Sequence, residues 1–352
     1  YLRLFLFLYI RDSMSIYSVC ICVVCALFTV FSHADYVSHP MAERFRADMA
    51  ADGFSEKEVN AILAKANRQE AILSAIARPA EKAKPWYDYR NIFLDDKRIA
   101  NGVTFWQNNA EQLAKASGQF GVPEEIIVAI IGVETRYGKV AGSYDVIDAL
   151  TTLGFDYPPR SDFFYKELKH FLVLTRQQGV DPLTLKGSYA GAMGYGQFMP
   201  SSYQHYAIDF DGDKKVDIWN NTADAIGSVA NYLHAHGWKA KQPVIAQTNV
   251  MNTEHLKSVP LDTFNVLVKP TMNPKDVTAL GLSLPKAIRS EASVFMQPYR
   301  VETSEQSNEY WLGFENFYVI TRYNHSHMYA LAVYQLSQEI TLARERQLAV
   351  DS

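Results

Sequence analysis

The stretch VPEEIIVAIIGVETRYG, Val122 to Gly138, places one carboxylate, Glu134, directly after eight residues that are all apolar or glycine, Ile126 to Val133. Pro123 followed by Glu124 and Glu125 marks a helix start, because proline loses no needed N–H in the first turn and the acids face the positive end of the dipole. A helix apolar on every side is buried on every side. Glu134 is therefore expected near the C-terminal end of a buried helix, where desolvation and the negative dipole end both oppose its ionisation. A carboxylic acid kept neutral near pH 7 is what a general acid requires; the glutamic acid of lysozyme, raised to about 6 by an apolar pocket, is the precedent. The plainer reading is an ion pair from Glu134 to Arg136 or Arg160, or a helix-end residue that reaches solvent. On position alone that reading is the commoner one.

A second stretch bears on the choice. In GSYAGAMGYGQFMPSSY, Gly187 to Tyr203, glycines at 187, 191, 194 and 196 allow tight turns and close approach of another backbone or a ligand. Ser188 and Gln197 are neutral hydrogen-bonding groups, and Tyr189, Tyr195, Phe198 and Tyr203 supply rings. Hydroxyls and amides beside aromatic faces suit a sugar, although glycine-mediated helix packing would leave the same pattern. A third stretch, DFDGDKKVDIWNNTAD from Asp209 to Asp224, begins with the Asp-x-Asp-x-Asp spacing of an EF-hand loop. It departs at position 6, Lys214 in place of glycine, and at position 12, Asn220 in place of glutamate. Three aspartates this close repel one another unless a cation neutralises them, so a cation is expected. The pairs His234/His236 and His325/His327 have H-x-H spacing but no cysteine or acid cluster beside them, and are read as structural.

These motifs need a scaffold, and the chain is long enough to build one. Its 352 residues are 48% hydrophobic and 20% charged, an ordinary globular composition. A net charge of -4 with no long Lys/Arg run excludes an electrostatic footprint for nucleic acid. Residues 1–13 precede the first methionine, Met14, and read as upstream sequence. The apolar run Ile16 to Phe31 before Ser32-His33-Ala34 fits a signal peptide cleaved before Asp35, and it is short for a membrane span of about 20 residues. All three cysteines, Cys20, Cys22 and Cys25, lie in this leader, so the mature chain would hold no disulfide; Cys22-Val23-Val24 is a poor approach to lipidation at Cys25.

From residue 35 to 117 the pattern is helical, with a start at Ser55-Glu56-Lys57-Glu58 and a second amphipathic run from Thr104 to Ala116. Between them, Pro79 to Asp96 reads as an irregular, ring-rich connection. After Lys241 the runs PVIAQTNV, FNVLVKP, EASVFMQPYRVE and NEYWLGFENFYVITRY are expected to be strands. His327 to Arg346 returns to helical spacing.

Taken together and in this order, IIGVETRYG and GAMGYGQFMPSSY resemble the membrane-bound lytic murein transglycosylase B family. The resemblance extends from about Asn101 to Gln338 and includes DFDGDKKVDIW, AIGSVANYLHAHGW and NFYVITRYNHS. It implies a mainly α (α+β) protein: a lysozyme-like helical core (118–240), a flanking helical domain (35–117), a small β-rich domain (241–320), and a C-terminal helical segment (321–352) packing on the helical domain. It also implies cleavage of peptidoglycan glycan strands between N-acetylmuramic acid and N-acetylglucosamine. The family's acid/base falls on Glu134, its substrate-contacting serine and glutamine on Ser188 and Gln197, and its groove on Tyr89, Arg160, Tyr232, Tyr323, Asn324 and Tyr329. A structural Ca2+ would be held by Asp209, Asp211, Asp213, the backbone oxygen of Lys215, and Asp224. No organic cofactor is implied. Phe163 stands in place of a sugar-stacking tyrosine. The implied protein is a monomer, soluble or peripherally associated with the envelope, in the periplasm of a Gram-negative bacterium, with other cell-wall enzymes as candidate partners. Two rivals stay open: a non-catalytic peptidoglycan-binding protein, and a hydrolytic lysozyme whose second carboxylate would come from Asp145, Asp148, Asp156 or Asp162.

Overall fold

Local sequence explains several helix starts. The Ser55 hydroxyl accepts from the Glu58 N–H at 3.3 Å while the Glu58 carboxylate accepts from the Ser55 N–H at 2.7 Å, a reciprocal cap. Asp95 caps Arg98 N at 2.9 Å, and Asn221 caps Ala223 N at 3.0 Å. The structure, a computed structural model, describes residues 36–77, 84–285 and 294–351, which belong to one compact unit. The expected leader, its cysteines and its cleavage point before Asp35 lie outside the described residues.

In chain order the helices begin with α1 (Ala42–Ala51), α2 (Glu56–Leu63), α3 (Glu70–Ile76), α4 (Trp86–Tyr89), α5 (Asp96–Asn108), α6 (Ala110–Phe120) and α7 (Glu124–Thr135). The strand β1 (Tyr144–Asp145) leads into α8 (Val146–Asp156) and α9 (Ser161–Gln178). Then come β2 (Lys186–Gly187), α10 (Pro200–Tyr206) and α11 (Thr222–Ala235). The remainder is β3 (Ile245–Thr248), α12 (Thr253–Ser258), α13 (Pro274–Ala279), β4 (Gln297–Ser304), β5 (Ser307–Gly313), α14 (Glu315–Tyr323) and α15 (His327–Asp351). No single helix among the described residues is long and apolar enough to cross a membrane.

The helix α7 is the axis of the core. Ile126 to Ile131 are each 2% exposed or less, and α5, α6, α11 and α15 pack around it. Its four isoleucines contribute about 1.5–3 kcal/mol each by burial, which offsets the cost of holding a carboxyl group partly out of water at its end. Pro123 precedes the first helical residue with φ −57° and ψ 141°.

Three expectations need correction. The run Thr104 to Ala116 is two helices, because the buried Asn109 leaves the helical conformation (φ −125°, ψ 24°) and turns its side-chain amide back onto the Phe105 carbonyl at 2.8 Å. FNVLVKP is not a strand: Asn265 takes φ +62°, and its side chain, in place of a backbone ladder, bonds the N–H and carbonyl of Arg300 at 2.9 Å each. NEYWLGFENFYVITRY changes type at Phe314. Its first half is β5, and its second half is α14, anchored by Asn316, which is fully buried and bonded to Lys239 N, Lys239 O and Gln242 O. Aromatic and β-branched residues here serve helix packing at i, i+3 spacing, and tertiary context overrides propensity.

The β-rich portion is a three-stranded antiparallel sheet in the order β3-β5-β4. Its register runs from Ile245↔Gly313 to Thr248↔Tyr310 on one side and from Gln297↔Gly313 to Ser304↔Ser307 on the other. It has its own core of Leu256, Phe264, Val277, Leu282, Met296, Leu312 and Phe314.

Candidate active site

Glu134 is half-buried at the last turn of α7. Beyond Thr135 the chain turns sharply through two non-glycine residues in the left-handed region, Arg136 (φ 50°) and Tyr137 (φ 62°). Such conformations cost on the order of 1–3 kcal/mol each and persist only where surroundings hold them. Here Tyr137 is 7% exposed and donates its hydroxyl to Arg98 O at 3.0 Å. Gly138 follows at φ +83°, and a Cβ there would stand 2.2 Å from the Tyr195 ring. The helix end and the Gly187–Phe198 loop are thus in direct contact.

One hydroxyl ties them. The Thr135 hydroxyl donates to Tyr195 O at 2.9 Å, lies 3.2 Å from Ile131 O, and accepts the Gly138 N–H at 2.9 Å. Sequence reasoning does not single out Thr135; its place directly after Glu134 was the available signal. The loop is knotted internally by Met193 N to Phe198 O and Phe198 N to Met193 O, both 2.9 Å. Within it the Ser188 hydroxyl oxygen accepts from Ala190 N (3.2 Å) and Ala192 N (3.0 Å), so both lone pairs are used and its proton is the group it can offer. Gln197 sits at φ +50°, and its side-chain NH2 donates to Ala141 O and Gly194 O at 3.0 Å each, which fixes the amide orientation and leaves its oxygen as an acceptor.

An aromatic cluster drawn from α4, α11, α14 and α15 adjoins Glu134. The buried Tyr329 donates its hydroxyl to Glu134 Oε1 at 2.6 Å. Burial first, and then the Glu134 carboxylate, push the Tyr329 hydroxyl well above its usual range, so it remains a donor. Tyr323 is raised by burial and by Glu134 in the same way, and donates to Gly196 O at 2.6 Å. Tyr232 lies 4.7 Å from Tyr323 ring to ring, and its hydroxyl is spent on Arg322 O at 2.6 Å. Tyr89 is buried against Trp86 and Phe93, and its hydroxyl adds to the rise at Tyr329. The structure thus brings Glu134, Tyr329, Tyr323, Tyr89 and Tyr232 into one cluster that meets the Gly187–Phe198 loop at Gly196. Arg160 is placed differently: it is exposed before α9 with its guanidinium over Phe163 (4.5 Å) and Phe164 (5.1 Å). Asn324 is exposed in the turn between α14 and α15.

Three of the four aspartates that could supply a second carboxylate are engaged by other groups, and the fourth, Asp162, is exposed. Asp145 pairs with Lys186 at 2.7 Å, and Asp148 accepts from Asn67 N and the Gln69 amide at 2.8 and 2.9 Å. Asp156 takes the Tyr36 hydroxyl at 2.8 Å and lies 3.3 Å from both His39 and Arg68. Asp162 is exposed, 4.0 Å from Arg44. The histidines are structural in their contacts: His234 and His236 bond Phe120 O and Tyr232 O, and His327 stacks on Tyr299 at 6.0 Å.

In the acidic loop, carboxylate oxygens of Asp209, Asp211 and Asp213 lie within 4.8 Å of one another. Lys214, the residue that departs from the EF-hand pattern, adopts φ +72°, the conformation that a glycine at position 6 supplies. Hard oxygen donors at this spacing fit a calcium ion. Asp224 is fully buried beneath the loop, accepting from Phe210 N and Asp217 N at 2.8 Å each. It latches the two ends of the loop together. Burial raises its pKa, and the charges of Asp211 and Asp209 add to that, while the two N–H bonds oppose it. The Asn221 amide donates to Asp211 at 2.8 Å, a contact that sequence reasoning misses.

Residues 38–338 match the transglycosylase SLT domain. The chain is 42% identical over 320 residues, 88% of it and 85% of the relative, to the membrane-bound lytic murein transglycosylase B of Escherichia coli (strain K12). Its structure is similar to that of the soluble lytic transglycosylase SltB1 from Pseudomonas aeruginosa (TM-score 0.80, 49% identity, 87% of this chain and 100% of that one). It is also similar to the E. coli lytic transglycosylase Slt35 in complex with calcium (TM-score 0.79, 40% identity, 89% and 96%). With a motif-bearing core, an aromatic wall and an acidic loop all lying inside the matched region, the chain belongs to the lytic murein transglycosylase B family of SLT-domain transglycosylases.

Proposed function

We propose that this protein is a lytic transglycosylase that cleaves the β-1,4 bond between N-acetylmuramic acid and N-acetylglucosamine in peptidoglycan, with Glu134 as both acid and base. One observation carries the reading: the Glu134 carboxyl is held by a tyrosine hydroxyl, while Asp145, Asp148 and Asp156 are bound to other groups and Asp162 stands exposed on α9. Tyr329 donates to Oε1 and so orients the carboxyl group, while neutral Glu134 carries the proton that the reaction needs. Glu134 gives that proton to the leaving oxygen as the bond breaks, and the muramic 2-acetamido group supports the positive charge developing at C1. The resulting carboxylate, stabilised by the strengthened Tyr329 bond, takes the proton of the sugar's own C6 hydroxyl as that oxygen closes on C1. Atoms balance without water: one strand yields a free 4-hydroxyl on N-acetylglucosamine and a 1,6-anhydromuramoyl end.

Ser188 and Gln197 would bind sugar substituents as donor and acceptor, and Arg160, Tyr232, Tyr323, Asn324 and Tyr89 would line or support the groove. Calcium, when bound, would be held by Asp209, Asp211, Asp213, the Lys215 carbonyl and Asp224, whose carboxylate also braces the loop, and would neutralise the loop's charge without joining the chemistry. The partition into a helical domain (35–117), a core (118–240), a β-rich domain (241–320) and a C-terminal helical segment (321–352) belongs to this reading, as does a monomer working in the periplasm of a Gram-negative bacterium. Digestion of purified sacculi, with the new ends identified by mass, tests it: anhydro ends are expected, and reducing ends would replace it with a hydrolytic mechanism.

A further inference from the structure

The β-rich portion holds a cavity of about 570 Å3 that the reaction does not use. Arg300 of β4 lines it, directly opposite Tyr310 of β5 in the register. Phe264 closes its floor, 5.7 Å from the Tyr310 ring, and Leu261 stands 70% exposed at the rim. Lys257 and Asn308 also line it.

We propose that this cavity binds the free C-terminal carboxylate of a short peptide that ends in small apolar residues, and that Arg300 is its anchor. A guanidinium presents five N–H donors in a rigid fork matched to a carboxylate. None of the hydrogen bonds or ion pairs among the described residues uses the Arg300 guanidinium, and its Nε is buried without a partner. The guanidinium is therefore not committed to another group of the fold. The other base, Lys257, is already paired with Glu254 at 2.8 Å, and no acid lines the cavity. The backbone under Arg300 is held from both sides, by Tyr310 across the ladder and by the Asn265 side chain on its N–H and carbonyl. Asn265 adopts a left-handed conformation to do so, a conformational cost away from the catalytic groups. Leu261, Phe264 and Tyr310 would take an apolar side chain, and the Asn308 amide a peptide group. A cavity of this volume suits a ligand of a few residues. Resting on the activity proposed above, the occupant is the peptide carried by the glycan strand, so that the β-rich portion reads the peptide while the groove reads the sugar.

The test titrates the full chain with a synthetic murein pentapeptide as its free acid, with the same peptide as its C-terminal amide, and with inorganic phosphate. The free acid should bind, with the amide weaker by about tenfold or more, since the charge-assisted pair is lost. Arg300→Gln should lose the same factor for the acid and none for the amide, Arg300→Lys should recover part of it, and both variants should cleave peptide-free glycan strands at the parental rate. Equal binding of acid and amide by the unmutated protein overturns the proposal, as does parental binding by Arg300→Gln, or competition by phosphate at the peptide's own affinity. If peptide binds through Arg300 but strands are not cleaved, the activity falls and this site stands; if strands are cleaved and binding ignores Arg300, the reverse holds.

Discussion

Replacing Tyr329 with phenylalanine isolates one interaction. The ring is 2% exposed and keeps its packing; what is removed is the 2.6 Å hydrogen bond to Glu134 Oε1. That bond exists before and during the reaction, so only its gain in strength as Glu134 becomes a carboxylate affects kcat. A hydrogen bond between neutral groups contributes about 0.5–1.5 kcal/mol and one to a charged group about 1.5–3. The difference of about 1–1.5 kcal/mol predicts a kcat roughly 5- to 12-fold lower. The assay is the rate of anhydro-end formation on purified sacculi at saturating strand, with a thermal melt of the same samples. A second arm introduces the change into Glu134→Gln: if Tyr329 acts through the Glu134 charge, it should have almost no further effect there. A kcat within twofold of the parent, or an equal proportional loss of the residual rate in the Glu134→Gln background, would refute the reasoning.

Glu134→Gln itself should retain its melting temperature and strand binding and lose most turnover, and parental digestion in heavy-oxygen water should leave anhydro ends unlabelled; solvent oxygen in those ends would sink the single-carboxylate route. Calcium bound only by the folded state should raise the melting temperature, with a gain of about 2.7 kcal/mol at a hundred times Kd; Asp211→Ala with Asp213→Ala should remove that response, and a parental melt indifferent to calcium and chelator would end the metal reading. Burial holds the His327 imidazole down to about 4 from its ordinary 6.5, with Glu302 opposing. The unfolded chain therefore binds the proton first, so the contribution of neutral His327 is fully present above pH 6.5 and is lost as pH falls from 6.5 towards 4, on the order of 3 kcal/mol in all. Melts across that window should show the slope and His327→Gln should flatten it; an unchanged slope in the variant would assign it elsewhere.

What was legible in the sequence was what local periodicity and capping encode. The unbroken apolar run before Glu134 announces a helix buried all round, and Ser55 with Glu58 announces a cap that forms as written. What was not legible depends on the tertiary setting. Asn109 interrupts an amphipathic run because, once buried, its amide turns back onto a carbonyl four residues away, and α14 forms from strand-like residues because Asn316 docks into the distant turn at Lys239. Tyr329 was placed in the groove by resemblance alone. Its bond to Glu134 joins residues 195 apart, beyond the reach of any spacing argument. Lys214 is the inverse case: a residue that breaks a motif by type yet keeps it by backbone conformation.

The two bonds that the Thr135 hydroxyl makes, to Tyr195 O and from Gly138 N–H, bear on how this protein breathes. Opening the Gly187–Phe198 loop would strand a buried hydroxyl and unwind the last turn of α7 with it, so the two should open as one cooperative unit. In native-state hydrogen exchange the amides of Met193 and Phe198 would then report the same opening free energy as those at the end of α7. A glycine-rich segment that looks like a flap would behave as a rigid jaw.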